Sequence, residues 1–249
     1  MPRHSHTTLA CGLAACLVAL SPAALAGTFS ISPLRVDFAG STRTAALTVR
    51  NEDSTAVVVQ AEGMAWSQPD GEDTLAVSRD LLVSPAVFTL PPGAQQLVRV
   101  ALRRAPDTTS ELSYRLIVQE VPQEAAPEFN GLRMALRLSV PVFVAPERPG
   151  AAALNWSARH DADGALTVIA RNDGTTHARV QRFRVRNDAG LVVEQPSLAY
   201  VLPGAIRHWK FADSSGAGAD PVAWPPVPYR LEGVTDRGAF ATELLLTRD

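Results

Sequence analysis

From Thr28 onward the chain is a succession of short β-branched and apolar runs, broken every few residues by turn chemistry, with no apolar stripe at 3.6-residue spacing. That period calls for sheets, not helices. Strands are predicted over 45–49, 56–61, 96–102, 114–121 and 132–144 in the first half. In the second half they are predicted over 152–158, 165–171, 178–185, 191–194, 206–211, 229–232 and 240–246. Between them lie Asn51-Glu52-Asp53, Pro69-Asp70-Gly71, Pro91-Pro92-Gly93, Asp163-Gly164 and Asp173-Gly174, all turn formers. About seven short strands per ~100 residues is the density of a β-sandwich, so the fold class is all-β with two sandwiches. The obvious joint is Ala145-Pro146-Glu147-Arg148-Pro149-Gly150, where two prolines make a stiff elbow and not a floppy tether. The expected layout is a first domain over 27–145, a linker over 146–150 and a second domain over 151–249. No internal repeat aligns the halves.

Residues 1–26 read as a secretory signal peptide. Arg3 lies in a short polar start, an apolar run extends from Leu9 to Leu20, and Ala24-Leu25-Ala26 places small residues before a cleavage point. The run is too short for a permanent bilayer span, which needs roughly 20 residues. Leu13-Ala14-Ala15-Cys16 also resembles a lipoprotein box that would acylate Cys16. The apolar run continues past that cysteine, so cleavage after Ala26 is the expectation, giving an exported protein that starts at Gly27. Both cysteines, Cys11 and Cys16, fall inside this segment. The exported part therefore has no disulfide or thiol chemistry and must be held by its hydrophobic cores.

Several functions are disfavoured at once. A nucleic-acid binder needs a basic excess, whereas 23 basic residues face 25 acidic ones here. His160, His177 and His208 share no metal-ligand spacing, and isolated surface histidines are expected. There is no GxSxG elbow, no GxGxxG after a strand and no P-loop. Asp161-Ala162-Asp163-Gly164 starts like a calcium loop but lacks the later acidic ligand and reads as a hairpin turn. Asn155-Trp156-Ser157 matches a glycosylation acceptor but falls in a predicted strand. The expectation is a protein that is not an enzyme, with no catalytic residues, metal, cofactor or small-molecule substrate.

Three stretches are more specific. The first is Ile31-Ser32-Pro33-Leu34-Arg35-Val36-Asp37-Phe38, a first strand with one arginine among apolar neighbours. The second runs from Leu82 to Val100 through Ser84-Pro85 and Pro91-Pro92-Gly93. The third is Tyr114-Arg115-Leu116-Ile117-Val118-Gln119-Glu120-Val121-Pro122, followed by Leu132 to Pro146. In this order they resemble the periplasmic pilus-assembly chaperones of the PapD-like family, over residues 28–149. The ending Val140-Pro141-Val142-Phe143-Val144-Ala145-Pro146 looks closer to the archaic chaperone–usher branch. The resemblance implies two immunoglobulin-like domains in an elbow arrangement. It implies a periplasmic protein that holds pilin subunits by donor-strand complementation, a form of β-augmentation, and delivers them to an outer-membrane usher.

The residues support such a role independently. Leu132, Met134, Leu136, Leu138 and Val140 alternate with Arg133, Ala135, Arg137, Ser139 and Pro141, which puts five large apolar side chains on one face of a long strand. That face packs on its own domain, serves a partner, or does both along different parts of its length. An exposed edge of this kind also offers weak self-association. In the family, an arginine on the first strand and a basic residue near the end of the long strand clamp the subunit's terminal carboxylate. Arg35 matches the first. The second position is occupied by Pro141, so Arg137, on the same face, is the substitute, with Arg115 as a further candidate. If Val121 faces Gly131, Arg115 stands opposite Arg137, and like charges so placed are unfavourable unless an anion lies between them. The alternative is two solvated arginines. A secreted structural sandwich, pilin or adhesin-like, is the competing reading of the whole chain.

Overall fold

A computed structural model describes residues 29–122, 134–188, 192–211 and 227–247. The first domain has ten strands: β1 (Phe29–Ser32), β2 (Val36–Phe38), β3 (Thr44–Asn51), β4 (Val57–Ser67), β5 (Thr74–Val77), β6 (Leu81–Ser84), β7 (Val87–Leu90), β8 (Gln95–Leu102), β9 (Leu112–Glu120) and β10 (Arg137–Val144). They form two sheets, in the orders β1-β3-β8-β6 and β2-β10-β9-β4-β5, with β7 also on β4. Alternate residues of each strand point between the sheets, as a two-layer core requires. Leu47 and Val49 meet Val98 and Val100 from one sheet, and Tyr114, Leu116, Val118, Val140, Val142 and Val144 from the other.

The stretch from Ile31 to Phe38, read as one first strand, is two. β1 pairs with β3 in one sheet and β2 runs parallel to β10 in the other. The chain changes sheets at Ser32-Pro33, and the same happens between β6 and β7 at Ser84-Pro85; both peptides are cis. Proline has no ladder N–H to donate, so a Ser-Pro step interrupts pairing where the strand must cross over.

The second domain contains β11 (Leu154–His160), β12 (Leu166–Asn172), β13 (Ala178–Arg186), β14 (Val192–Val201), β15 (Ile206–Phe211), β16 (Tyr229–Thr235) and β17 (Gly238–Thr247). They hydrogen-bond in the order β14-β13-β16-β17-β11-β12-β15. The last strand serves two neighbours, β16 along Gly238–Leu244 and β11 along Leu245–Thr247, so the array folds over on itself. Leu166 and Val168 from one layer pack with Phe183, Val185, Tyr229 and Leu231 from the other. Asp161 to Gly164 is the β11–β12 hairpin turn, closed by the Gly164 N–H on the Asp161 carbonyl at 3.0 Å. Asn155 lies within β11.

Both domains use the same polar staple. Asn51 is fully buried at the end of β3, and its Nδ2 donates to the carbonyls of Thr55, Leu90 and Pro91 at 2.7, 3.0 and 3.1 Å. Asn172, fully buried at the end of β12, donates to the carbonyls of Thr176 and Val201 at 2.8 and 2.9 Å, and its Oδ1 accepts the N–H of Ala153 and of Gly174. Each follows an arginine and precedes an acidic residue, in Arg50-Asn51-Glu52 and Arg171-Asn172-Asp173. This short repeat was legible but too brief to align the halves. Truncating either asparagine strands buried backbone groups, at about 1–3 kcal/mol each. Asn51→Ala and Asn172→Ala are therefore expected to lower the urea midpoint, with the slope of the transition unchanged.

Candidate functional site: an open strand edge ending at an interdomain cleft

The site is built on β9 and β10. Their antiparallel register sets Arg137 opposite Gln119 and Pro141 opposite Arg115. The sequence expectation of Arg115 facing Arg137 is thus corrected. Pairing begins where the Glu120 N–H meets the Leu136 carbonyl at 2.9 Å, not at Val121 and Gly131, because the connection between the strands takes up more chain. On the other side β2 lies parallel to β10, with Val36 beside Val142. Arg35, one residue before β2, is therefore level with Pro141. The position the family resemblance reserves for a second basic residue is flanked by Arg115 on one side and Arg35 on the other. Arg137 lies four residues up the strand, exposed to solvent, and does not join them.

The register also settles which backbone groups β10 offers. The Leu136 carbonyl points at β9, so the N–H and C=O groups of Leu138, Val140, Val142 and Val144 do the same. Those of Arg137 and Ser139, with the Pro141 carbonyl, point the opposite way. That edge is covered by β2 only along Val142–Val144, and among the described residues no strand pairs with it along Arg137–Pro141.

The apolar face divides. Val140, Val142 and Val144 are buried in the domain's own core, and Leu136 and Leu138 pack against it while staying partly exposed. Met134 is 77% exposed. Leu132 and Arg133 lie outside the described residues.

The opposite face of β10 meets the second domain. Phe143 is buried against Trp66 of β4 and Tyr200 of β14, with ring centroids 6.0 and 5.4 Å away, and Leu202 and Ala205 complete the cluster. Arginines surround it. The Arg115 guanidinium carbon stands 3.6 Å from the Trp66 ring centroid and 5.5 Å from that of Tyr200. Arg35 is 5.3 Å from Phe143, and Arg179 of β13 is 5.7 Å from Tyr200. Arg35 already holds Asp37, with Nε at 2.8 and 2.9 Å from the two carboxylate oxygens and Nη2 at 2.7 Å. Among the described residues neither Arg115 nor Arg179 has a carboxylate at salt-bridge distance. Burial holds the Arg115 guanidinium below its ordinary pKa, countered by Asp73 and reinforced by Arg207.

Polar contacts lock the two domains around this cluster. Gln68 Nε2 donates to the Tyr200 carbonyl at 2.9 Å and to Asp73 at 2.8 Å, while its Oε1 accepts the Leu202 N–H at 2.9 Å. Trp66 Nε1 donates to the same Asp73 oxygen, and Arg207 reaches it from β15 at 3.3 Å. His177 corrects a second expectation: it is buried, not on the surface. It stacks on Phe143 at 3.6 Å, and its Nδ1 and backbone N–H lie 2.7 and 3.0 Å from Glu111 Oε1. His160 is partly buried and His208 is exposed. The chain crosses between domains with Glu147 and Arg148 donating to the carbonyls of Asp107 and Thr108. No grouping of histidine, aspartate and glutamate suited to a metal occurs among the described residues. The arrangement offers a strand edge for pairing and, at its end, guanidinium groups for an anion.

Trp66, Phe143, Arg179 and Tyr200 were not singled out as site residues from the sequence, and His177 was read only as a surface histidine. They belong to four strands and one loop of two domains, and nothing in their local context marks them.

Residues 28–149 match the family described as pili and flagellar-assembly chaperone, PapD N-terminal domain. The first domain belongs to the PapD-like family. The family is one of chaperones, not enzymes. Solved structures agree with the two-domain fold of this chain. One is a chain of the CsuC–CsuE chaperone–tip adhesion subunit pre-assembly complex from archaic Csu pili of Acinetobacter baumannii, at 21% identity over 89% of this chain and 100% of that one, TM-score 0.64. Another is the CupB2 chaperone of Pseudomonas aeruginosa, at 21% identity, 88% and 100% coverage, TM-score 0.54. A third is from a Salmonella enterica complex of SafA pilin with the SafB chaperone, at 19% identity, 87% and 96% coverage, TM-score 0.58. They establish two immunoglobulin-like domains for the present chain. No curated protein matches its sequence.

Proposed function

We propose that this PapD-like chaperone is exported to the periplasm, holds a pilin subunit by lending it the edge of β10, and passes it to an outer-membrane usher. The observation that carries the reading is the stretch Arg137–Pro141, unpaired on that edge among the described residues, which ends at a cleft lined by arginines. A strand added there gains ladder bonds from the chaperone's backbone, and apolar side chains near the start of β10, Met134 with part of Leu136 and Leu138, enter the subunit's groove. Burying one such side chain contributes about 1.5–3 kcal/mol.

The anchor for the subunit's terminal carboxylate is Arg35 with Arg115, in place of Arg35 with Arg137. Pro141 cannot donate an N–H, and β2 occupies the edge beyond it, so an incoming strand has to end at this level. Its free carboxylate then falls between the two arginines. Arginine suits this task because its planar fork makes two parallel charge-assisted bonds and stays charged at any periplasmic pH. The Arg35–Asp37 pair does not oppose it. Both side chains are well exposed, and such pairs contribute only about 0–1 kcal/mol, so the partner exchanges readily. The Val140 to Pro146 ending supports the archaic branch as its place in the family.

The test is mass spectrometry of the protein purified from periplasm. It should begin at Gly27 without an adduct on Cys16 and carry a pilin subunit with it. A chain that is purified folded and always alone, under conditions where pili are made, overturns the reading in favour of a structural module.

A further inference from the structure

We propose that Arg179 is a third cationic arm of the carboxylate site, contributed by the second domain, so that a bound subunit is gripped by both domains at once. The inference rests on the anchor assigned above to Arg35 and Arg115 and extends it across the cleft. Arg179 and Arg115 belong to different domains, yet each places its guanidinium carbon within 6 Å of the ring of one residue, Tyr200, at 5.7 and 5.5 Å. Neither has a carboxylate at salt-bridge distance among the described residues. Arg179 Nε is moreover buried with no hydrogen-bond acceptor among the described residues. A guanidinium carries five donors, and a buried one left unmade is costly. The ring face offsets part of that through cation–π attraction but accepts no ladder of hydrogen bonds. Two like charges gathered at one ring, one of them short of an acceptor, describe a place for an anion.

The surroundings hold Arg179 in place without satisfying it. Its backbone N–H donates to Asp236 Oδ1 at 3.0 Å, and the Asp236 N–H returns to the Arg179 carbonyl at 3.0 Å. The other Asp236 oxygen lies 3.9 Å from His177 Nε2. The ligand this chemistry selects is a chain-terminal carboxylate presented at the end of a β-strand. Side-chain carboxylates of a through-going strand are excluded, because Pro141 and β2 stop the ladder first.

The probe is the subunit recovered with the chaperone, prepared in two forms: with its native C-terminus, and with two glycines appended so that the charge moves out of the cleft. The wild-type chaperone should prefer the native form about a hundredfold or more. Arg179→Gln should narrow that preference about tenfold while leaving affinity for the extended form unchanged, since a charged hydrogen bond of this class is worth that factor. Arg179→Lys replaces it if circular dichroism shows the glutamine variant unfolded, and should lose less, keeping the charge without the fork. If the variant weakens both forms by the same factor, Arg179 is structural and the proposal is wrong. If the wild type prefers the native form and the variant does so equally, Arg179 is no part of the site. If the wild type shows no preference at all, the Arg35–Arg115 anchor fails with it.

Discussion

Arg115→Ala is expected to release bound subunits while the chaperone stays folded. Removing one partner of a desolvated charge pair costs about 2–5 kcal/mol, a loss in affinity of about thirtyfold to several thousandfold. The fold should tolerate the change because the guanidinium holds no carboxylate among the described residues. What is lost are the cation–π contacts with Trp66 and Tyr200, each worth about 0.5–2 kcal/mol, against relief from Arg207 and from a burial that already lowers its pKa. Arg137→Ala is the control. It removes a cation of the same type on the same face, four residues away and exposed, and should leave retention near wild type. Measured by surface-immobilised subunit, equal losses from both variants would show that general positive charge, not the Arg35–Arg115 position, does the work. Equal retention by both would leave only the lent strand.

Ser139→Pro is expected to abolish subunit binding without unfolding the chaperone, whereas Val140→Pro should unfold it. The two substitutions are adjacent and chemically identical; they differ in where the lost N–H points. Ser139 directs its backbone groups to the uncovered edge of β10, so proline there takes a bond from the partner and none from the domain. Pro141 already shows that the strand accepts proline at that parity. Val140 directs its groups to β9 and its side chain to the core, so proline costs a ladder bond and packing together, ~3 kcal/mol or more. Thermal melts paired with subunit capture separate the cases. A Ser139→Pro protein that melts normally and still captures subunits would show that the edge of β10 is not the docking strand.

Much of this molecule was legible in the residues. Eleven of the predicted runs overlap observed strands and overrun them by no more than two residues at either end, because alternation and turn formers are properties of neighbours in sequence. The twelfth, 132–144, was too long at its start: the described residues up to Leu136 are not in strand. The first strand was misread as continuous because Ser32-Pro33 breaks the pairing partner, not the apolar pattern. His177 looked like an ordinary turn histidine, but it is buried, stacked on Phe143 and in contact with Glu111, both from the other domain.

The register of β9 on β10 shows most plainly where the division falls. A slip of one residue would turn every core side chain to solvent, and the alternation of Leu136, Leu138, Val140 and Val142 forbids it. A slip by an even number leaves the same side chains facing inward, so the apolar pattern cannot distinguish Arg115 opposite Arg137 from Arg115 opposite Pro141. That choice belongs to the length of the connection and to packing against the rest of the sheet. The sequence by itself determined the all-β class, the lack of cysteine beyond residue 16 and the family resemblance carried by 28–149. Only the tertiary structure decided that Arg115 and Arg35 flank Pro141 and that Arg179 and Tyr200 face them from the second domain. The physical reason is that local patterning is written in adjacent residues, while a charge site is a meeting of side chains whose separation in space no run of neighbours encodes.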